Sequence, residues 1–315
     1  MATLLLTHPS FVGHNMGEGH PERPDRMRAV DKVLSHQIFA DLIRRDAPLR
    51  TDARTHILRA HPAAYYDMIE GHAPGEGEPN VQLDADTAMS PGSLEAGLRA
   101  VGAGLDAVDA VCRSEREAKN VFCQVRPPGH HAERDRPMGF CLFSSIAIAA
   151  MYARATYGLE RVAVVDFDVH HGNGTQDVFW NQKDLMFAST HQMPLFPGSG
   201  AHGEVGAHDN ICNAPLRPGD AGDQFADAFR SRVLPAVKEF RPELIMISAG
   251  FDAHEDDPLA NLRLNEADFR WATDELLSVA EKVCDGRVVS MLEGGYDLRA
   301  LAGSAAVHVK ALMDA

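Results

Sequence analysis

No run of about 18 apolar residues occurs in this chain of 315, which excludes a membrane-spanning helix. The start, Met1-Ala2-Thr3-Leu4-Leu5-Leu6-Thr7-His8, lacks both the basic flank and the full apolar core of an export signal. Cysteine is sparse: Cys112, Cys123, Cys141, Cys212 and Cys284 form no C-x-x-C pair, and their odd number leaves at least one outside any intramolecular bridge. They read as buried thiols of a reducing compartment, so a cytoplasmic protein is expected, with no membrane partner. Base is also short. Thirty Lys and Arg face 45 Asp and Glu, a formal net charge of -15, which argues against a direct nucleic-acid partner and favours a cationic ligand. There is no internal repeat. Nothing in the sequence selects between a monomer and a homodimer.

What is present suits one soluble globular unit. Hydrophobic residues make up 45% and charged residues 24%, enough for a large core and too apolar for disorder, and a single domain over residues 1–315 is expected. Short β-rich runs at Thr3 to Thr7, Asn120 to Val125, Arg161 to Phe167, Leu185 to Ser189, Glu243 to Ser248 and Arg287 to Leu292 alternate with longer stretches. In the latter, at Ser93 to Cys112, Ser144 to Tyr157, Gln224 to Glu239 and Glu266 to Cys284, apolar residues recur three or four apart. This alternation predicts an α/β fold with a mainly parallel sheet covered by helices on both faces. Two segments, residues 72–79 and 194–209, read as surface loops.

Chemistry gathers where strands end. The run Val164-Val165-Asp166-Phe167-Asp168-Val169-His170-His171-Gly172-Asn173-Gly174-Thr175 closes an apolar strand with acids, imidazoles and a glycine-rich loop. Strand alternation would send Asp166, Asp168 and His170 to one side, and carboxylate plus imidazole on one face suits a divalent metal. Three other predicted strands run into Arg126-Pro127-Pro128-Gly129-His130-His131, Ala249-Gly250-Phe251-Asp252-Ala253-His254 and Glu293-Gly294-Gly295-Tyr296. Ligands of open parallel sheets bind beyond the carboxyl ends of the strands, so four strand ends aim functional groups at one edge.

Asp252 is the expected third metal ligand beside Asp168 and His170. A lone Asp after a strand more often caps a helix or turn, but two ligand-type neighbours favour the metal reading. His254 is left outside the site. The adjacent imidazoles His130 and His131 need partners if buried, and the chain offers a carboxylate, Asp166, and an amide, Asn173. The carboxylate would hold one imidazole charged and the amide would leave the other able to accept a proton. Tyr296 carries a phenol suited to an oxyanion. Phe140 and Phe196 follow short loops near the same edge; packing is the default role of such rings, but two of them flanking a channel would suit an aliphatic stem.

These motifs resemble the zinc-dependent histone deacetylase and acetylpolyamine amidohydrolase superfamily, most closely its class II branch. The resemblance rests on Pro127-Pro128-Gly129-His130-His131-Ala132-Glu133, Asp166 to Thr175, Ser248-Ala249-Gly250-Phe251-Asp252 and Leu292-Glu293-Gly294-Gly295-Tyr296. It extends back to Gly19-His20-Pro21-Glu22-Arg23-Pro24-Asp25-Arg26, and the motifs keep the family's order. It implies the arginase-deacetylase fold with an eight-stranded sheet, and hydrolysis of an N-acyl amide on an alkyl amine. It implies zinc at Asp168, His170 and Asp252, a donor set that also accommodates Fe²⁺. His130 and His131 match the tandem histidines, Asp166 and Asn173 their partners, and Tyr296 the oxyanion tyrosine. Phe140, Phe196 and Leu259 match channel walls, Gly139 the residue whose carbonyl meets the scissile amide, and Arg26 the arginine beside a product exit. A structural K⁺ is implied near Asp166, Asp168, His170, Ser189 and Thr190, with an outer site near Phe179.

The substrate implied is acetyl-lysine in a peptide or protein, or a small acetylpolyamine. Leu259 stands where one polyamine-specific relative has a selective Glu, which leans towards acetyl-lysine. Glu76, Glu78, Asp84, Asp86, Glu255 and Asp256 supply loop carboxylates that could meet a polyamine ammonium. Two other readings compete: a dinuclear manganese ureohydrolase, for which Asn173 and the single Asp252 give too few bridging acids, and a non-catalytic acyl-lysine binding module, against which Tyr296 and both dyad histidines count.

Overall fold

Eight parallel strands form the spine of the computed structural model, which describes residues 2–315. In chain order the strands are β1 (Thr3–Thr7), β2 (Ile43–Asp46), a short antiparallel pair β3 (Val81–Gln82) and β4 (Ala88–Met89), β5 (Asn120–Cys123), β6 (Val162–Asp166), β7 (Leu185–Gln192), β8 (Ile211–Leu216), β9 (Leu244–Ala249) and β10 (Val288–Leu292). The large sheet runs β2-β1-β5-β10-β9-β6-β7-β8. Every pairing in it is parallel, so the sheet is wholly rather than mainly parallel.

The helices are α1 (Asp25–Leu34), α2 (Ala53–Ala60), α3 (Ala63–Gly71), α4 (Ser93–Cys112), α5 (Ser145–Tyr157), α6 (Asn173–Phe179), α7 (Gly222–Ala228), α8 (Leu234–Phe240), α9 (Glu266–Val283) and α10 (Leu298–Asp314). They pack in two groups: α4 and α5 with α2, and α1, α9 and α10 together. Covered on both faces, the central strands are continuous apolar runs such as Val162-Ala163-Val164-Val165, all fully buried. No helix of the described residues is long and apolar enough to cross a membrane.

The six strands expected from sequence are all present: Thr3–Thr7 has the expected bounds, and the others differ by one to three residues at an end. The two large-sheet strands not foreseen are its edges. Ile43-Arg44-Arg45-Asp46 is mostly exposed and charged, the usual means of keeping an edge from pairing with another chain, and so carries no apolar signal. The helix expected over Gln224 to Glu239 is broken by a π-turn at Phe229–Val233. Pro235 opens α8 and has no N–H to give the preceding turn, which widens instead.

The topology does one thing for function. The four strands that run into motifs, β5, β10, β9 and β6, are the four contiguous strands at the centre of the sheet. Asp166 pairs in register with Ser248, and Ala249 with Leu292, so the loops that follow leave the sheet side by side at the same level.

Candidate active site

The loop after β6 is built by its own acids. The strand stops at Asp166, so Asp168 and His170 are placed by turns and not by strand alternation. The Asp168 N–H donates to Asp166 Oδ1 at 3.0 Å, and the His170 N–H donates to Asp168 Oδ1 at 2.9 Å. Each side chain thereby fixes the backbone two residues on. From β9, Asp252 reaches across and accepts from the Val169 N–H at 2.8 Å.

Asp168, His170 and Asp252 come together with one ligand atom from each within 4.8 Å of the others. His170 Nδ1 lies 3.2 Å from Asp168 Oδ1 and 3.0 Å from Asp252 Oδ2. Both carboxylates are fully buried, and burial together with Asp168 raises the pKa of Asp252. Burial opposes a charge on His170, yet hydrogen bonds to the two acids raise it to about 10. The cluster therefore demands positive charge at its centre, and a divalent ion meets that demand better than one proton. Two glycines leave the room: a Cβ at Gly250 would collide with Asp168, and one at Gly294 with Asp252.

The two imidazoles from the β5 loop stand beside this cluster with ring centroids 4.0 Å apart. His130 Nδ1 donates to Asp166 Oδ2 at 3.0 Å, and its far nitrogen is 3.8 Å from Asp168. Burial opposes its charge, but Asp168, Asp166 and Glu293 together raise its pKa well above the usual value. His131 Nδ1 meets Asn173 Oδ1 at 2.8 Å. The Asn173 amide nitrogen donates to Glu133 at 2.7 Å, which fixes the amide's orientation and leaves its oxygen for the imidazole. His131 must then donate through Nδ1, freeing Nε2 as an acceptor. Burial, then the charges of His130 and His170, lower its pKa well below the usual value. Neighbours in sequence, the two rings are driven in opposite directions.

From the loop after β10, Tyr296 lines the same cavity as His131 and His170. The Gly294 N–H donates to Asp168 Oδ2 at 2.8 Å, and Gly295 takes φ +120°, a conformation that favours glycine. Burial and then Asp252 raise the Tyr296 phenol well above its usual pKa, so it stays a donor. Arg26 is fully buried behind the ring, with its guanidinium 5.1 Å from the ring centroid. It donates to Gly295 O at 2.6 Å, to Glu293 O and to Glu22. Its observed work is to hold the Tyr296 turn.

Above these groups opens a cavity of about 220 Å³ lined by His131, His170 and Tyr296 at its base and by Gly139, Phe140, Leu195, Phe196, Leu259 and Asp86. Phe140 stands 5.9 Å from Tyr296, and Phe196 5.2 Å from His131. Gly139 has φ +55°, and a Cβ there would strike the His131 ring. Phe140 itself has φ 70°, a strained value for an aromatic residue, and its N–H is held by Thr87 Oγ1 at 3.0 Å. Ser189 and Thr190 lie buried in β7 beside Asp166; Thr190 Oγ1 has no hydrogen-bond partner among the described residues.

Three acids were not singled out from sequence. Glu133 orients Asn173. Glu293 accepts from the Gly129 N–H at 2.7 Å and the His130 N–H at 3.2 Å, and burial pushes it up to about 7. Asp257 accepts from the Tyr296 N–H at 2.7 Å. Glu133 and Glu293 lie inside the quoted motifs, and that position was the one available signal.

Known proteins resemble this chain over nearly its whole length. Residues 20–312 match the histone deacetylase domain model. The chain is 40% identical over 298 residues to a histone deacetylase-like amidohydrolase of Pseudomonas aeruginosa, covering 93% of this chain and 77% of that protein. It is 35% identical over 303 residues to a probable deacetylase of Archaeoglobus fulgidus, covering 95% and 82%. The solved HDA15 HD domain superposes with a TM-score of 0.92 at 32% identity, covering 100% of this chain and 89% of that one.

Proposed function

Since this chain belongs to the histone deacetylase family, with the arginase-deacetylase fold, we propose that it hydrolyses the amide of N-acetylated lysine side chains to free amine and acetate. The observation that carries this reading is the pair of adjacent imidazoles, one held cationic and one neutral, beside a buried Asp168/His170/Asp252 cluster at the base of an apolar-walled channel. Those three residues would hold Zn²⁺, or Fe²⁺ with the same donors. Such an ion, when bound, supplies Lewis-acid polarisation of the acyl carbonyl and a more acidic water.

The chain's own groups do the rest. His131, neutral and with Nε2 free, takes a proton from the attacking water and passes it to the leaving nitrogen, so water is consumed and amine and carboxylate are released. His130, held positive by Asp168 and Asp166, stabilises the negative charge that develops on the carbonyl oxygen. The Tyr296 phenol, kept protonated by burial, donates to that same oxygen. Phe140, Phe196 and Leu259 hold the alkyl stem and exclude water, and Gly139 offers its carbonyl to the amide N–H. Arg26 stands beside a product exit on this reading, in addition to holding the Tyr296 turn. A structural K⁺ near Asp166, Asp168, His170, Ser189 and Thr190 would satisfy the unpartnered Thr190 hydroxyl. Residues 1–315 act as a single cytoplasmic domain, a reading consistent with five unbridged thiols.

A small acetylpolyamine is the second substrate reading. It is favoured by Asp86, a half-buried carboxylate in the channel wall. Side-by-side kcat/KM values for an acetyl-lysine peptide and for acetylputrescine or acetylspermidine decide between them. Tight acyl-lysine binding with zero turnover on every acyl amide would replace both with a binding module.

A further inference from the structure

Asp257 belongs to none of the roles above, yet it joins two walls of the channel. It lies five residues after Asp252, in the loop that leaves β9, and its side chain is buried. One carboxylate oxygen, Oδ1, accepts from the Leu259 N–H at 3.0 Å. The other, Oδ2, accepts from the Tyr296 N–H at 2.7 Å and, at 3.4 Å, from the Asp297 N–H. Leu259 and Tyr296 both line the cavity. Asp297 caps α10, donating nothing from its own side chain but accepting from the Arg299 and Ala300 N–H groups, each at 2.9 Å.

We propose that Asp257 is a positioning residue for amide hydrolysis, a carboxylate brace that ties the channel wall at Leu259 to the oxyanion donor Tyr296. This rests on the deacetylase reading. The Tyr296 turn is otherwise fixed on either side of the tyrosine, at Gly294 by Asp168 and the Phe251 N–H, at Gly295 by Arg26, and beyond it where Asp297 begins α10. Among the described residues, Asp257 is the side chain that grips the tyrosine's own main chain. A carboxylate is a costly group to bury, and burial followed by Asp252 pushes this one up to about 7 against the three N–H groups that favour its charge. Its gain is geometric. An acid offers an acceptor at both ends, so one side chain can hold N–H groups from two loops, whereas an amide offers one acceptor and a donor that would face an N–H. A substrate stem resting on Leu259 therefore bears on a group rigidly linked to the donor that must meet the carbonyl oxygen.

The test is a double-mutant cycle with Asp257→Asn and Tyr296→Phe, read as kcat and KM separately. Because a displacement of about 1 Å can cost roughly 10²-fold, Asp257→Asn is expected to lower kcat by about 10- to 100-fold with KM within about threefold. In the Tyr296→Phe background, where the hydroxyl is already gone, it should cost less than about threefold. Equal losses in both backgrounds, or a change confined to KM, would overturn the proposal. Asp257→Ser, which keeps one acceptor, replaces Asp257→Asn in the same cycle if that variant folds poorly. An independent readout uses 3-fluorotyrosine throughout the chain's five tyrosines, with the Tyr296 line assigned by its loss in Tyr296→Phe. Asp257→Asn should shift or broaden that fluorine line and leave the others in place; an unmoved line rejects the brace. If the wild-type protein cleaves no acyl amide, the deacetylase reading falls, and the fluorine line still decides whether Asp257 holds Tyr296.

Discussion

The floor of the channel and its mouth are held in different ways. On the floor, Asp166, Asp168 and Asp252 are fully buried, and each accepts at least one main-chain or imidazole N–H, so the acids fix one another's loops. At the mouth the walls are rings and an aliphatic side chain on loops, and Phe196 is 39% exposed. The difference teaches where chemistry and selectivity can separate. A floor locked by buried polar bonds cannot change one member without unpairing another, whereas an exposed wall residue can change with little cost to the fold.

Substitutions should follow that division. The largest loss is expected at the floor: His131→Ala removes the proposed general base and should lower kcat by about 10²–10⁴-fold with the fold intact, measured by turnover and circular dichroism. Turnover within tenfold of wild type would show that another group serves as base. Tyr296→Phe should lower kcat by roughly 10²–10³ if its hydroxyl meets the oxyanion, and unchanged kcat would remove Tyr296 from the floor's machinery. At the mouth, Phe196→Ala should raise KM for an acetyl-lysine peptide by about tenfold, the worth of a modest apolar contact, with kcat nearly constant. A kcat loss as large as that of Tyr296→Phe would erase the distinction between floor and mouth.

The smallest effect concerns stability behind the floor. His61 Nδ1 donates to Arg134 O at 3.0 Å while Nε2 accepts from the Ser144 N–H at 3.0 Å, an arrangement that only the neutral ring can make. Burial lowers its pKa to about 4, and burial lowers His308 to about 3. An unfolded histidine, near 6.5, takes up a proton below that pH while these folded rings do not, so each of these rings contributes stability that rises with pH across the window from about 4 to 6.5. Thermal melts of wild type and His61→Gln should therefore differ in the slope of Tm against pH between about 4 and 6.5. His61→Gln should reduce the slope by about one proton; an unchanged slope would show that the ring is charged in the folded protein.

Much of the floor was legible in the sequence because the central strands are unbroken apolar runs that end in residues with unmistakable chemistry. Val162 to Asp166 followed by Asp168 and His170 is the clearest instance. That β5, β10, β9 and β6 are neighbours was not legible, since adjacency in a sheet depends on crossovers that no single run records. Strand alternation gave the right grouping of Asp166, Asp168 and His170 for the wrong reason, as turns made by the acids themselves do the placing. Asp257, Glu293 and Glu133 carry no such signal because they act largely on main-chain N–H groups or through an amide, and such partners leave no pattern of residue types. Of the walls, Phe140 and Phe196 were candidates from their place after short loops at the same edge, with packing the default role, and Leu259 was legible only through the family resemblance, because such residues look like any packing residues until a cavity forms between them.

Amide hydrolysis is proposed to depend on one divalent ion held by Asp168, His170 and Asp252. The most direct test strips the protein with a chelator, then titrates Zn²⁺, with an anaerobic Fe²⁺ arm, while acetate release from an acetyl-lysine peptide is followed. Stripped protein should be inactive, activity should return and saturate at one equivalent, and Asp252→Ala should neither retain the metal nor recover. Full turnover by the stripped protein, or recovery that saturates only at two equivalents, would contradict it.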